Sequence, residues 1–159
     1  MKAGFWVALL LTLAGAGQAE DRAPLPYRLV GPDEPSSRSV AQEILGHLAA
    51  GEIDQAARLS NEPGRRSEVL RDYLRSVGEA EFRRVYAEYL RPPNGVVAEI
   101  AIGPRRLLVW QLGERLAGQY YIEADGTFVM DDRPGPERRA LQNVLAQQRK
   151  ERGAKSARP

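Results

Sequence analysis

The sequence predicts an α+β domain: two to three N-terminal helices packed on a curved antiparallel sheet of four to five strands, followed by a basic helical tail. Three observations predict it. Between Ser39 and Val77, apolar residues recur at helical spacing. Between Val96 and Met130, apolar residues alternate or run in short stretches broken by turn residues. Asp125-Gly126 lies between two such runs, and an Asp-Gly pair suits a type I′ hairpin because both residues tolerate positive φ.

Taken in order, residues 1–19 (MKAGFWVALLLTLAGAGQA) read as a secretory signal peptide. Lys2 supplies the positive start, Phe5–Leu13 the apolar run, and Gly17-Gln18-Ala19 the small-residue end. The apolar run is short of the ~20 residues that span a bilayer, so no stable membrane span is expected once the leader is cleaved. Export to a bacterial periplasm, or secretion, is the expected destination. Residues 20–38 carry Pro24, Pro26, Pro32 and Pro35 and read as an extended lead-in, with Tyr27–Val30 as a short strand or packing segment. Residues 39–135 make the single α+β domain, and 136–159 the tail.

Ser39 with Gln42 has capping-box spacing at the start of a first helix. Val40, Ile44, Leu45 and Leu48 make its stripe, and Gly51 suits its C′ position. Ile53–Leu59 is a second helix, ended by Asn61-Glu62-Pro63-Gly64. Ser67–Val77 is a third, with Val69, Leu70, Tyr73, Leu74 and Val77 on one face and Gly78 at its end. Phe82–Arg91 reads as a strand, turned by Pro92–Gly95 onto Val96–Ile102. Phe82, Val85, Tyr86 and Tyr89 also fit helical spacing, but the turn and the β-formers favour strand.

In Val96–Ile102 one face holds Val96, Ala98, Ile100 and Ile102, the other Val97, Glu99 and Ala101. Leu107–Leu112 is the next strand. A three-residue loop would set Trp110 opposite Ala98 on the inner face, and a four-residue loop would turn it outward; the inward register is expected. Tyr120–Glu123 and Thr127–Met130 complete the meander. Glu137–Lys150 has a narrow stripe of Leu141, Val144 and Leu145, which reads as a mostly solvated helix, with a disordered end from Gly153.

Composition narrows the chemistry. The chain of 159 residues has no cysteine and one histidine, His47. A cysteine nucleophile is impossible, and a His/Cys zinc site lacks ligands. His47 near a helix C-terminus reads as a boundary residue beside the partial negative charge there, with a lone general base as the rival reading. A carboxylate site for a hard cation would draw on Asp125, Asp131 and Asp132, which read instead as a turn and a solvated strand end. No Gly-rich phosphate loop occurs, so no cofactor is expected. Basic residues number 23 and acidic 21, but seven basic and only two acidic side chains fall in Glu137–Pro159. The domain is mildly acidic and the tail basic. Nucleic acid is not an expected partner, whereas the tail would suit an acidic protein or anionic lipid.

Tyr73, Tyr89, Trp110, Tyr120 and Tyr121 offer apolar faces with polar handles that could line a ligand pocket, with Tyr73, Tyr89, Trp110 and Tyr121 as the candidate ligand-pocket residues. The stretches AQEILGHLAAGEIDQAARLSNEP and GQYYIEADGTFVMD, and the order of elements over residues 39–131, resemble the nuclear-transport-factor-2-like superfamily. That resemblance implies a curved sheet wrapped into a cone with a pocket. The superfamily contains isomerases, dehydratases and non-catalytic members, so it implies no single function. With the usual catalytic sets absent, the expected role is a non-catalytic exported domain that binds a small apolar ligand or a periplasmic protein through its sheet. A cofactor-independent isomerase or dehydratase using Asp/Glu or His47 with a Tyr is the alternative.

Overall fold

The computed structural model describes Leu25–Ala157. The signal peptide expected at residues 1–19, and residues 20–24, lie outside the described residues. The fold is α+β: a five-stranded antiparallel sheet with helices on both faces. β1 (Arg28–Leu29), β2 (Gly95–Ile102), β3 (Arg105–Leu112), β4 (Arg115–Ala124) and β5 (Thr127–Met130) pair in chain order. Helices α1 (Arg38–Ala49), α2 (Ile53–Arg58), α3 (Pro63–Val77) and α4 (Glu79–Tyr89) precede β2, and α5 (Pro136–Ser156) follows β5. None of the described helices is long and apolar enough to cross a membrane.

Turn chemistry sets the sheet register. Asp125 and Gly126 both have positive φ, 51° and 78°, the I′ pattern expected for that pair. Gly103-Pro104 joins β2 to β3 as a two-residue loop, with Ile102 opposite Arg105 and Gly103 at φ 55°. Glycine first and proline second suits a II′ turn, so neither the three- nor the four-residue loop forms. A bulge then places Val97 between Val96↔Trp110 and Ala98↔Val109. Trp110 does face inward, but opposite Val96 rather than Ala98. The bulge also splits the expected strand face. Val96 packs with Trp110 toward α1–α4, whereas Ala98, Ile100 and Ile102 pack toward α5.

Phe82–Arg91 is not a strand: Glu79–Tyr89 is helix α4. Its acidic first turn and its Arg83–Glu79 and Arg84–Glu81 ion pairs suit a helix. The β2 edge proposed for it is taken instead by β1, through Arg28↔Ala101 and Leu29↔Ile100. Phe82 is fully buried, 4.9 Å from Tyr86 and 5.8 Å from Tyr73 between ring centroids. Helical spacing puts Phe82, Tyr86 and Tyr89 on the side that meets the core.

The other helix ends follow local rules with two shifts. Gly51 and Gly78, at φ 78° and 85°, close α1 and α3. Ser37 rather than Ser39 is the N-cap residue of α1. Pro63 occupies the first turn of α3, so Asn61–Gly64 starts that helix as well as ending the one before.

Two apolar clusters flank the sheet. One joins Ile44, Leu45, Leu48, Ile53, Leu70 and Phe82 to Leu108, Trp110, Leu112 and Tyr121. The other joins Leu141 and Leu145 of α5 to Ile100, Ile102, Leu107 and Val109. The segment expected to be a solvated extension is therefore the cover of the second sheet face. Leu141 and Leu145 bury the stripe, and the helix continues through Gly153 to Ser156. β3 is buried on both faces, which accounts for its unbroken apolar run.

Candidate functional site

β4 has ten residues and β5 four. β5 pairs only with Tyr121–Ala124, which leaves Arg115–Tyr120 with an open edge among the described residues. A cavity of about 250 Å³ lies beside that edge. Its apolar wall comes from Ile44 and Leu48 of α1, Ala56 of α2, Leu70 of α3 and Met130. Its polar rim comes from Arg66 of α3, Tyr86 of α4, Gly118–Tyr120 of β4, Asp131, and Arg138 of α5.

Backbone direction follows from the pairing. Tyr120 accepts from Asp131 N–H at 2.8 Å, and the Leu116 carbonyl accepts from Arg149 Nε at 3.0 Å. These alternate residues turn their backbone groups away from β3, and Gly118 lies between them in the same phase.

Gln119 faces the helices. Its Oε1 accepts from Trp110 Nε1 and from the Tyr121 hydroxyl, each at 2.9 Å. Two donors on one oxygen fix which end of the amide is carbonyl. The Gln119 NH₂ has no protein acceptor among the described residues, nor does the Tyr86 hydroxyl. Burial raises the Tyr86 and Tyr121 pKa values well above the ordinary phenol range. Both are therefore neutral hydrogen-bonding groups at neutral pH.

An ionic network closes one end. Arg66 grips both carboxylate oxygens of Asp132, with Nε at 2.8 Å, and Ser60 Oγ donates to Asp132 at 2.6 Å. Asp131 is buried. Its Oδ1 accepts from Asn61 at 2.8 Å and from Arg133 N–H at 3.3 Å. Its Oδ2 stands 2.9 Å from Arg105 Nη1, an ion pair whose N–H does not point along the contact. The pair Asp131-Asp132 is thus neutralised by arginines and is not a solvated strand end. Arg138 Nη1 donates to the Asp131 carbonyl, and its guanidinium lies 4.7 Å over the Tyr120 ring. Burial pulls the Arg138 pKa below its usual value.

The four sequence-derived pocket residues sit behind this cavity rather than around it. Trp110 and Tyr121 are buried and meet through Gln119. Tyr89 packs edge-on to Trp110 at 5.5 Å, and Tyr73 packs against Phe82 and Tyr86. None of the four lines the cavity, whereas Tyr120 does. Sequence reasoning missed Arg66, Tyr86, Gln119 and Arg138. Tyr86 had a signal in the helical stripe, and Gln119 was a polar break in an apolar strand. Nothing local marked the two arginines.

His47 is away from the cavity. Its Nδ1 lies 2.6 Å from Glu52 across the α1–α2 turn, and Glu43 is 4.0 Å from Nε2. Asp125 occupies the β4–β5 turn. Among the described residues no cluster of His, Asp and Glu could hold a metal ion. No family model matches this chain, and no curated protein or solved structure matches it.

Proposed function

We propose that this chain is an exported, non-catalytic α+β domain, similar in kind to the nuclear-transport-factor-2-like superfamily, that holds a small and largely apolar ligand beside β4. The observation that carries this reading is the cavity of about 250 Å³ with an apolar wall and two polar groups, Tyr86 OH and Gln119 NH₂, that lack protein partners among the described residues. An apolar cavity of about 150 Å³ accepts a benzene ring, and drug-sized ligands need about 300–1,000 Å³. The occupant is therefore one ring or a short chain with a small polar head. Both sheet faces carry helices, which favours this edge cavity over the sheet surface as the binding place. The leader sequence at residues 1–19 supports export.

Binding is preferred to catalysis because the cavity offers no free base. Among the described residues Asp131 is its one lining carboxylate; Asn61 holds Oδ1, and Oδ2 is ion-paired with Arg105 without a hydrogen bond. His47 stands elsewhere. Native mass spectrometry of the mature chain purified from its own host tests the proposal. A small-molecule adduct is expected, and it is expected to disappear in the cavity-filling variant Ala56→Phe. A bare chain under gentle ionisation, together with no resonance shift at Tyr86 or Gln119 on adding benzyl alcohol, would count decisively against it.

A further inference from the structure

We infer that the cavity's ligand is a small monocarboxylate with an apolar body, and that Arg138 is its charge partner. This rests on the ligand-binding reading above and deepens it. Three guanidiniums, Arg66, Arg105 and Arg138, meet two carboxylates, Asp131 and Asp132, at the polar end. Arg66 is spent on Asp132, and Arg105 on Asp131. Arg138 has no carboxylate within 4.0 Å among the described residues. The network is thus one negative charge short, which suits a monoanion.

The geometry of Arg138 fits the same class. Among the described residues only Nη1 is used, on the Asp131 carbonyl. Nε and Nη2 remain as the side-on edge that makes two parallel bonds to a carboxylate. Tyr120 beneath the guanidinium holds its plane. The negative charge of a carboxylate arriving there offsets the desolvation that lowers the Arg138 pKa. Tyr86 OH and Gln119 NH₂ line the same cavity as further donors, and Leu48, Leu70 and Met130 receive the apolar body. A free phosphate offers nothing to that wall.

Calorimetric titration of the mature chain with benzoate and with benzyl alcohol separates the outcomes. Benzoate is expected to bind about tenfold or more tightly than the alcohol, as for a charge-assisted bidentate pair. Arg138→Gln is expected to abolish that preference, and Arg138→Lys to restore part of it. Equal binding of the two probes overturns the carboxylate inference and leaves the cavity reading standing. Binding of neither probe removes both. The wild-type comparison keeps the test decisive even where a substitution at 138 impairs folding, which a circular dichroism melt reports.

Discussion

Glu99 Oε1 accepts hydrogen bonds from both the backbone N–H and the hydroxyl of Ser37, at 2.9 and 2.8 Å, across 62 positions of sequence. Ser36 Oγ donates to the other carboxylate oxygen. A buried acidic side chain in mid-strand thus holds the entry to α1, taking the place of a local side-chain cap. Glu99→Ala leaves these buried donors without acceptors and is expected to cost about 3 kcal/mol. Glu99→Gln keeps one acceptor and should cost less. Urea unfolding measures both, and equal stability of Glu99→Ala and wild type would refute the anchoring role.

Gly118 has no room for a side chain. A Cβ there would lie 2.5 Å from Leu145 Cδ2 and 2.9 Å from Leu107 Cδ1. Both leucines, Leu107 of β3 and Leu145 of α5, are buried between the sheet and α5. Gly118→Ala is expected to cost about 1–3 kcal/mol through overpacking. Leu145→Ala alone is expected to cost about 2–5 kcal/mol through the cavity it leaves. The double variant should be more stable than the sum of the two predicts, by about 1 kcal/mol or more. Strict additivity in a denaturation cycle would show that α5 does not press on Gly118.

Gln119 organises two aromatic donors at once, so Gln119→Leu orphans Trp110 Nε1 and the Tyr121 hydroxyl. The expected loss is about 3 kcal/mol. Gln119→Glu retains acceptors and should recover part of it. Once residues 1–19 are removed, Trp110 is the sole tryptophan. Its emission should change with Gln119→Leu in the folded state, and an unchanged spectrum would argue that the indole N–H is not held there.

Alkaline instability is expected from the buried phenols. Burial raises the pKa of Tyr86 and Tyr121 above the unfolded value. Above about pH 10 the unfolded chain releases these protons while the folded chain keeps them. The folded state then binds more protons, so stability is fully present below that pH and falls as pH rises. Each such group contributes up to about 1.4 kcal/mol per pH unit, and burial raises Tyr73, Tyr89 and Tyr120 in the same direction. Urea midpoints between about pH 9 and 11 read this slope, and Tyr121→Phe should make it shallower.

Much of the architecture was legible because it rests on short-range chemistry. Asp125-Gly126 demands its hairpin, Gly51 and Gly78 demand their helix ends, and the heptad-like stripes of α1 and α3 follow from helical geometry. The helical state of α4 was legible too, in the spacing of Glu79 with Arg83 and Glu81 with Arg84, but aromatic β-formers and a neighbouring turn outweighed it. The candidate site was scarcely legible. Arg66, Gln119 and Arg138 lie on three different elements and acquire meaning only from their common cavity.

The amino-acid order by itself determined the α+β class, the succession of helices before strands, and the antiparallel meander, since propensity, periodicity and turn residues act within a few positions of one another. Tertiary structure alone decided that β1 takes the free edge of β2, that α5 lies against the second sheet face, and that β5 stops short and opens a cavity. It also decided which charges are matched, because Asp132 finds Arg66 and Glu99 finds Ser37 only once more than sixty residues of chain have folded between them. Burial and charge compensation depend on which surfaces meet, and that is a property of packing rather than of neighbourhood in the chain.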